Sequence, residues 1–250
     1  MRNVLTTLLL LAMCVGSAEA AETTLEKIRR TGKMVVGNSG VYPPFEFKEG
    51  GELVGFDIDL THLIAKRLDV KPEFVVVEFK GIIASLKSGR VDLLITGMTY
   101  TEDRAKEIAF SEPYYDTAMA IAVKKGAAGI RSKAELRGRV VGAEMGTTGE
   151  REARSVEGVK EVKTYDTPML AMRDLEIGRL DAVISTLPPL QYLIFKNFPG
   201  LDIGATYNKG FVGITTRKED TDLLAAINAA LRDFKQSGEL AALSKKWFGR

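Results

Sequence analysis

Apolar residues fall along the chain in two alternating rhythms. Short apolar runs at 34–37 (MVVG), 74–77 (FVVV) and 91–95 (VDLLI) are bounded by polar residues or glycine, and they predict strands. Between them, 57–68 and 81–88 carry apolar residues at helical spacing. Strand, helix, strand is the unit of a parallel sheet with helices on its faces, so the pattern predicts an α/β fold. The alternation resumes in the second half. Ser132 and Glu135 have the spacing of a capping box opening a short helix. Residues 140–143 predict a strand, Thr167-Pro168 a helix start with proline in the first turn, and 181–185 a further strand. From Thr221 to Phe248 the pattern is largely helical, with Leu223, Leu224, Ile227, Leu231 and Phe234 on one face and a break at Ser237-Gly238. Trp247 and Phe248 read as core packing.

One segment occurs twice. LKSGRVDLLI (86–95) and LEIGRLDAVI (175–184) share a helix end, a Gly-Arg turn, an aspartate and an apolar strand. A repeated supersecondary unit predicts two similar lobes, although any α/β chain repeats units of this kind.

The N-terminus obeys a different rule. Arg2, an apolar run from Val4 to Val15 and the small-x-small site Ala18-Glu19-Ala20 make residues 1–20 a secretory signal peptide, too short to span a membrane. No later segment is long and apolar enough to span either, so the mature protein is expected to be soluble and exported. Cys14 is the only cysteine and lies inside the signal, which leaves the mature chain without a disulfide. Lipidation of Cys14 is the rival reading. Leu11-Ala12-Met13-Cys14 half resembles a lipobox, with methionine where a small residue is expected. The chain is 45% hydrophobic and 27% charged, with a net charge of +2. Its basic residues are dispersed without a basic-aromatic stripe, which argues against a nucleic-acid partner.

Candidate chemistry gathers at the turns after the strands. Thr101 suits a helix N-cap, and Glu102 and Asp103 suit a first turn, so Arg104 sits in the first turn of a helix that follows a strand. Ligands of open α/β sheets bind beyond the carboxyl ends of strands, where an arginine can grip a carboxylate with two parallel bonds. Thr99 can add a donor there. The spacing equally suits a solvated arginine pairing with Glu102, Asp103 or Glu107. GAEMGTTGE (142–150) reads as a backbone anion cradle containing Thr147 and Thr148, or as a plain turn; Glu144 points toward the same space. Tyr42 and Phe79 lie at strand-to-helix turns and read as pocket walls or as core. His62, the single histidine, lies in a helical stretch with no metal-ligating partner, so no metal site and no catalytic triad are expected. Asp57 and Asp59 suit a helix start better than a cation site.

Taken in order, YPPFEF, GELVGFDIDL, FKGIIASLKSGRVDLLITGMTYTEDR, IAFSEPYY, VVGAEMGTTGE and the terminal KKWFG resemble the periplasmic solute-binding proteins of polar amino-acid ABC transporters, the bacterial extracellular family 3. The resemblance covers the whole mature chain. It implies a two-lobed periplasmic binding protein fold of type II with two hinge strands, residues 21–115 and 214–250 forming lobe 1 and 116–213 lobe 2. It implies a monomer in the periplasm that binds an amino acid or related small carboxylate without a cofactor and delivers it to a membrane permease by cleft closure. On this resemblance Arg104 grips the ligand carboxylate, helped by Gly97 and Thr99 and, from the other lobe, by Thr147 and Thr148. Tyr42 and Phe79 match aromatic positions that sandwich the ligand.

The chain departs from the family pattern at two positions. Thr186 stands where many relatives have an aspartate for the ligand's ammonium, and Ser39 at a first-loop position that is often acidic. Glu144, which matches a position facing the ligand's side chain, is then an alternative partner for a cationic group; otherwise the ligand lacks a primary amine. Two further functions stay open: an enzyme resembling cyclohexadienyl dehydratase, with Glu144 as general acid, and a ligand-sensing module.

Overall fold

The structure, a computed structural model, describes residues 22–127 and 130–249. The expected signal peptide and Cys14 lie outside the described residues. The chain opens with α1 (Thr24–Thr31), started by a complete capping box between Thr23 and Glu26. Then come β1 (Lys33–Asn38) and a three-stranded meander of β2 (Val41–Tyr42), β3 (Glu46–Glu49) and β4 (Glu52–Val54). Next are α2 (Phe56–Arg67), β5 (Lys71–Val76), α3 (Ile82–Lys87), β6 (Leu93–Leu94), α4 (Glu102–Glu107), β7 (Ala109–Phe110) and the long β8 (Tyr115–Lys124). The second half runs β9 (Val140–Glu144), α5 (Thr148–Arg154), β10 (Glu161–Tyr165), α6 (Pro168–Glu176), β11 (Ala182–Thr186), α7 (Leu187–Asn197) and the long β12 (Leu201–Val212). The chain closes with β13 (Thr215–Thr216), α8 (Thr221–Ser237) and α9 (Glu239–Phe248).

Two five-stranded sheets carry the fold, ordered β5-β1-β6-β13-β7 and β10-β9-β11-β8-β12. Within each, three neighbours are parallel and the remainder antiparallel. Apolar clusters cover both faces of each sheet, as a mainly parallel core requires. β8 and β12 pair antiparallel from Tyr115 opposite Val212 to Lys124 opposite Leu201. Beside their first ends, Tyr114 N–H donates to the Val212 carbonyl and Gly213 N–H to the Met98 carbonyl, both at 3.1 Å. The chain therefore leaves the first sheet along one long strand and returns along the other.

The doubled sequence segment has a physical cause. After α3 and after α6, a glycine with positive φ (Gly89, 76°; Gly178, 82°) turns the chain back toward its sheet. Asp92 then exchanges bonds with Val35 of β1, its carboxylate accepting the Val35 N–H at 2.9 Å and its own N–H donating to the Val35 carbonyl at 2.8 Å. Asp181 does the same with Val140 of β9, at 2.8 Å for both bonds. The repeated aspartate pins a strand start in each lobe.

Most sequence-derived elements fall where the pattern places them, and the differences are local. The run at 91–95 keeps only Leu93–Leu94 as strand, although Ile95 N–H still bonds to the Gly37 carbonyl at 3.2 Å. The capping box of Ser132 and Glu135 is present but opens a 3-10 turn, Lys133–Leu136. Phe79–Gly81 forms another such turn ahead of α3. Gly238 breaks the terminal helix at φ 82°. Trp247 is only half-buried, and its indole N–H donates to Asp59 at 2.7 Å. Phe248 stacks on Tyr115 at 4.1 Å, tying the last helix to the start of β8. His62 is exposed beside Phe74. Asp57 lies in the first turn of α2 as expected, but it is fully buried, so a role at a solvated helix start does not account for it.

Gly55 sets the entry angle of α2. Its φ of 135° lies outside the range of L side chains, and a Cβ there would stand 2.1 Å from the Phe45 carbonyl oxygen. At Gly32, with φ 66°, a Cβ would meet nothing within 4 Å. Gly55→Ala is expected to cost more than about 3 kcal/mol, since strain and collision add, whereas Gly32→Ala costs roughly 1 kcal/mol from strain alone. Thermal melts of the two variants test this; equal losses would contradict it.

Candidate functional site

The strand ends of both sheets meet at one small cavity. From the first lobe come Tyr42 on β2, Phe79 after β5, Gly97 and Thr99 after β6, and Arg104 on α4. From the second come Thr147, Thr148 and Gly149 at the start of α5, and Ser185 and Thr186 at the end of β11. The cavity left between these side chains is small, about 10 Å³. This is the position that open α/β sheets use for ligands, doubled here by two facing sheets.

Thr101 places the arginine. Its hydroxyl accepts the Arg104 N–H at 3.2 Å, starting α4 so that the side chain of the first turn projects into the cavity. Arg104 Nη1 donates to the Thr99 carbonyl at 2.9 Å and lies 3.5 Å from the Thr148 hydroxyl. Its Nη2 donates to the Gly146 carbonyl at 3.2 Å. The guanidinium also sits 5.2 Å from the centre of the Phe79 ring, within cation–π range. Arg104 thus touches both lobes. The alternative pairing with Glu102, Asp103 or Glu107 is not made: no carboxylate among the described residues pairs with Arg104, whereas Asp103 pairs with Lys106 and Arg151 and Glu107 with Lys87. Burial pushes its guanidinium down to about 10, and the nearby positive charge of Arg151 adds to the shift.

Opposite the arginine, the wall is built from hydroxyls. Tyr42 is buried, and its hydroxyl lies 2.6 Å from Thr186 Oγ1 and 3.5 Å from Ser185 Oγ across the lobes. Burial drives the Tyr42 phenol up to about 12, so it stays protonated. Its ring stacks on Phe45 at 5.9 Å. Further lobe-to-lobe contacts frame the cavity: Phe47 against Tyr192 at 5.4 Å, Arg151 with Asp103 at 3.6 Å, and Lys80 with Asp166 at 3.6 Å.

Eight of the expected residues therefore converge: Arg104, Thr99, Gly97, Thr147, Thr148, Tyr42, Phe79 and Thr186. Their available atoms differ from expectation. The Gly97 N–H is already given to Asp57 Oδ2 at 2.6 Å, so Gly97 presents no free N–H to the cavity. A Cβ at Gly97 would stand 3.0 Å from the Tyr42 ring, which explains the glycine. The Thr99 carbonyl is taken by Arg104, and the Thr147 hydroxyl donates to the Glu144 carbonyl at 2.6 Å. Ser39 does not line the cavity; it is buried with its hydroxyl donating to Glu46 at 3.0 Å. Glu144 does not line it either. It ends β9 just behind the loop of Thr147, only 4% exposed, and neither carboxyl oxygen has a hydrogen-bond partner. Ser185, Gly149 and Glu46 were not singled out in the sequence, and Asp57, which pairs with Glu46 behind the floor, was read there only as part of a helix start. Ser185 lies inside an apolar strand run, and nothing local shows that the fold buries both acids completely.

The comparisons with known proteins follow the geometry. The model of the bacterial extracellular solute-binding proteins, family 3, matches residues 34–250. The chain belongs to that family. It is similar to the L-cystine-binding protein TcyJ of Escherichia coli (strain K12), 36% identical over 234 residues, 92% of this chain and 88% of the relative. Among solved structures, it is similar to the P235GK mutant of ArgBP from T. maritima, at 40% identity and a TM-score of 0.87, covering 91% of this chain and all of that one. It is also similar to the ancestral amino acid-binding protein AncCDT-1, a precursor of cyclohexadienyl dehydratase, at 34% identity and a TM-score of 0.84, covering 90% of this chain and all of that one. The two-lobed type II binding-protein architecture follows from these neighbours and from the two sheets.

Burial raises the Glu144 carboxyl to about 8, so this acid is mostly neutral at neutral pH. Its folded value lies above that of a free glutamate. The stability that depends on its neutral form is therefore complete in acid and is lost as the pH climbs through about 8. Glu144→Gln removes that loss. Its thermal midpoint is expected to rise relative to the parent between about pH 5 and about pH 9. Midpoints that track each other over this range would show that Glu144 is ionised or solvated.

Proposed function

We propose that this member of the family is a periplasmic binding protein for an amino acid or a related small carboxylate, which it delivers to an ABC transporter permease. The observation that carries the reading is Arg104, a half-buried guanidinium without a carboxylate partner among the described residues, hydrogen-bonded to both lobes. A ligand carboxylate meets that guanidinium by a charge-assisted fork and finds the Thr148 region on the opposite lobe. Because the full set of contacts exists only when the lobes are together, the ligand favours the closed form. In this reading lobe 1 comprises residues 21–115 and 214–250, lobe 2 residues 116–213, and β8 and β12 act as the hinge strands. Residues 1–20 direct export and are removed, and the protein works as a monomer that makes or breaks no bond.

The ligand's other end is where this chain is distinctive. Thr186 is a hydroxyl already engaged with Tyr42, so no carboxylate from β11 receives an ammonium. The remaining acid near the cavity is Glu144, neutral and unpartnered. An ammonium-bearing ligand is expected to use Glu144; a ligand without a primary amine needs neither. A thermal-shift panel of the amino acids, their betaines and amine-free carboxylates, on protein refolded to strip carried ligand, separates the two cases. Stabilisation of about 2.7 kcal/mol is expected at a hundredfold excess over the dissociation constant. No stabilisation by any carboxylate in the panel would count against the whole reading.

Arg104→Ala leaves the ligand's carboxylate buried without a partner, a loss of roughly 3–5 kcal/mol, which is a few hundred-fold or more in affinity. Calorimetry on the ligand found by the panel measures it; affinity within threefold of the parent would remove Arg104 from the site. The dehydratase reading rests on a neutral acid, Glu144, beside the cavity and on the neighbouring dehydratase precursor. Incubation with prephenate or arogenate and product analysis decides it; no turnover is expected.

A further inference from the structure

Behind the cavity floor lies a pair of acids with no part in the reading above. Glu46 on β3 and Asp57 in the first turn of α2 both have no solvent exposure. The turn at Gly55 brings them together. Phe56 N–H donates to the Pro44 carbonyl at 2.9 Å and Asp57 N–H to the Phe45 carbonyl at 2.8 Å, which lays the start of α2 along residues 44–46. Each carboxyl spends one oxygen on outside donors. Asp57 Oδ2 accepts from Gly97 N–H at 2.6 Å and from the Tyr114 hydroxyl at 3.1 Å. Glu46 Oε1 accepts from the Thr96 hydroxyl at 2.6 Å and the Ser39 hydroxyl at 3.0 Å. The two other oxygens, Glu46 Oε2 and Asp57 Oδ1, are buried and find no donor among the surrounding groups. The carboxyls are within hydrogen-bonding contact of each other.

No cation among the described residues neutralises them. The titratable groups that face the pair are Tyr114, ahead of β8, and Tyr42 on β2, both held protonated by burial. Lys246 of α9 is bound to Asp59, one residue beyond Ile58 on α2. Arg67, at the far end of α2, is bound to Asp233 of α8, and Lys33 of β1 to Glu73 of β5. Two carboxylates in contact inside an apolar core cannot both ionise. One proton resolves the conflict and supplies the missing donor for both orphaned oxygens at once.

We propose that Glu46 and Asp57 share a single proton at neutral pH, Glu46 Oε2 donating to Asp57 Oδ1, and that this pair is the positioning device of the cavity floor. The assignment of donor follows from the other bonds: Asp57 already accepts from an N–H and a phenol and so carries the charge. Through its four outside donors the pair ties the ends of β1 and β6 to the meander and to α2. In particular it fixes Gly97, which stands against Tyr42 in the cavity wall. Burial raises both carboxyls above the usual range, and the Asp57 charge adds to the rise at Glu46. Since the folded value of Glu46 is raised, the stability it confers is present in acid and lost as the pH rises through that value. Loss of the shared proton sets two like charges against each other and releases the Gly97 segment. This inference concerns the protein without ligand, so it stands or falls separately from the role of Arg104.

Carbon-13 carboxyl and amide NMR of the purified, ligand-free protein across a pH titration tests it. Exposed glutamates titrate near 4.3. The Glu46 carboxyl is expected to stay protonated long after the exposed glutamates have ionised, and the Gly97 amide resonance to move with the same midpoint. In Glu46→Gln, the amide keeps donating to Asp57, so the Gly97 resonance keeps its place and its alkaline step disappears. Asp57→Asn, whose carbonyl still accepts from Gly97, removes the neighbouring charge and is expected to lower the Glu46 midpoint. A Glu46 carboxyl titrating with the exposed glutamates would overturn the proposal, as would a Gly97 amide indifferent to that titration in the parent.

Discussion

A guanidinium partly taken out of water needs an anion or a full set of dipoles around it, and half-buried Arg104 has only part of that set. Two backbone carbonyls, one from each lobe, and the face of Phe79 meet it, but no carboxylate among the described residues does. The geometry around it follows from this incompleteness. Thr101 starts a short helix to aim the side chain inward, and both sheets turn their strand ends toward it. The second lobe contributes a loop whose carbonyl and hydroxyl reach the same group. A cleft that half-satisfies a half-buried cation leaves an anion to complete the set, which is the basis of the proposed carboxylate recognition.

Three acids, Glu46, Asp57 and Glu144, surround the site without touching Arg104, and all are buried. Their separation from the arginine keeps its charge available. Burial alone keeps Glu144 neutral; burial also raises Glu46 and Asp57, with the Asp57 charge adding to the rise at Glu46. The site is therefore set by one exposed-to-ligand cation in a surround whose acids are largely proton-bearing. Hydroxyls of Tyr42, Ser185 and Thr186 close the opposite side without adding charge.

Much of this was legible in the sequence. The strand-helix alternation located both sheets because apolar periodicity reports burial directly. The doubled Gly-Arg-x-Asp segment marked equivalent positions because Asp92 and Asp181 perform the same bond exchange with a neighbouring strand. Arg104, Tyr42 and Phe79 lay at strand ends, where ligands of such sheets bind, but the pattern left the arginine open to a solvated pairing and the aromatics to core packing, and only the family resemblance set them against a ligand. What the sequence did not show was which atoms remain free. The Gly97 N–H is consumed by Asp57, forty residues earlier, and Ser39 faces Glu46 instead of the cavity. Glu46 sits between two phenylalanines, Phe45 and Phe47, and Asp57 at a helix start, and neither position points to the other. Only the turn at Gly55 brings them together, and a contact of that kind depends on tertiary folding beyond any local pattern.

The central claim is that Arg104 recognises a carboxylate, and a double-mutant cycle on the ligand's own acid group tests it most directly. The affinities of the most stabilising carboxylate and of its carboxamide would be measured for the parent and for Arg104→Ala. A coupling of about 2 kcal/mol or more is predicted, with the parent discriminating strongly against the amide and the variant hardly at all. A parent that binds acid and amide equally, or a variant that keeps the parent's discrimination, would contradict the account.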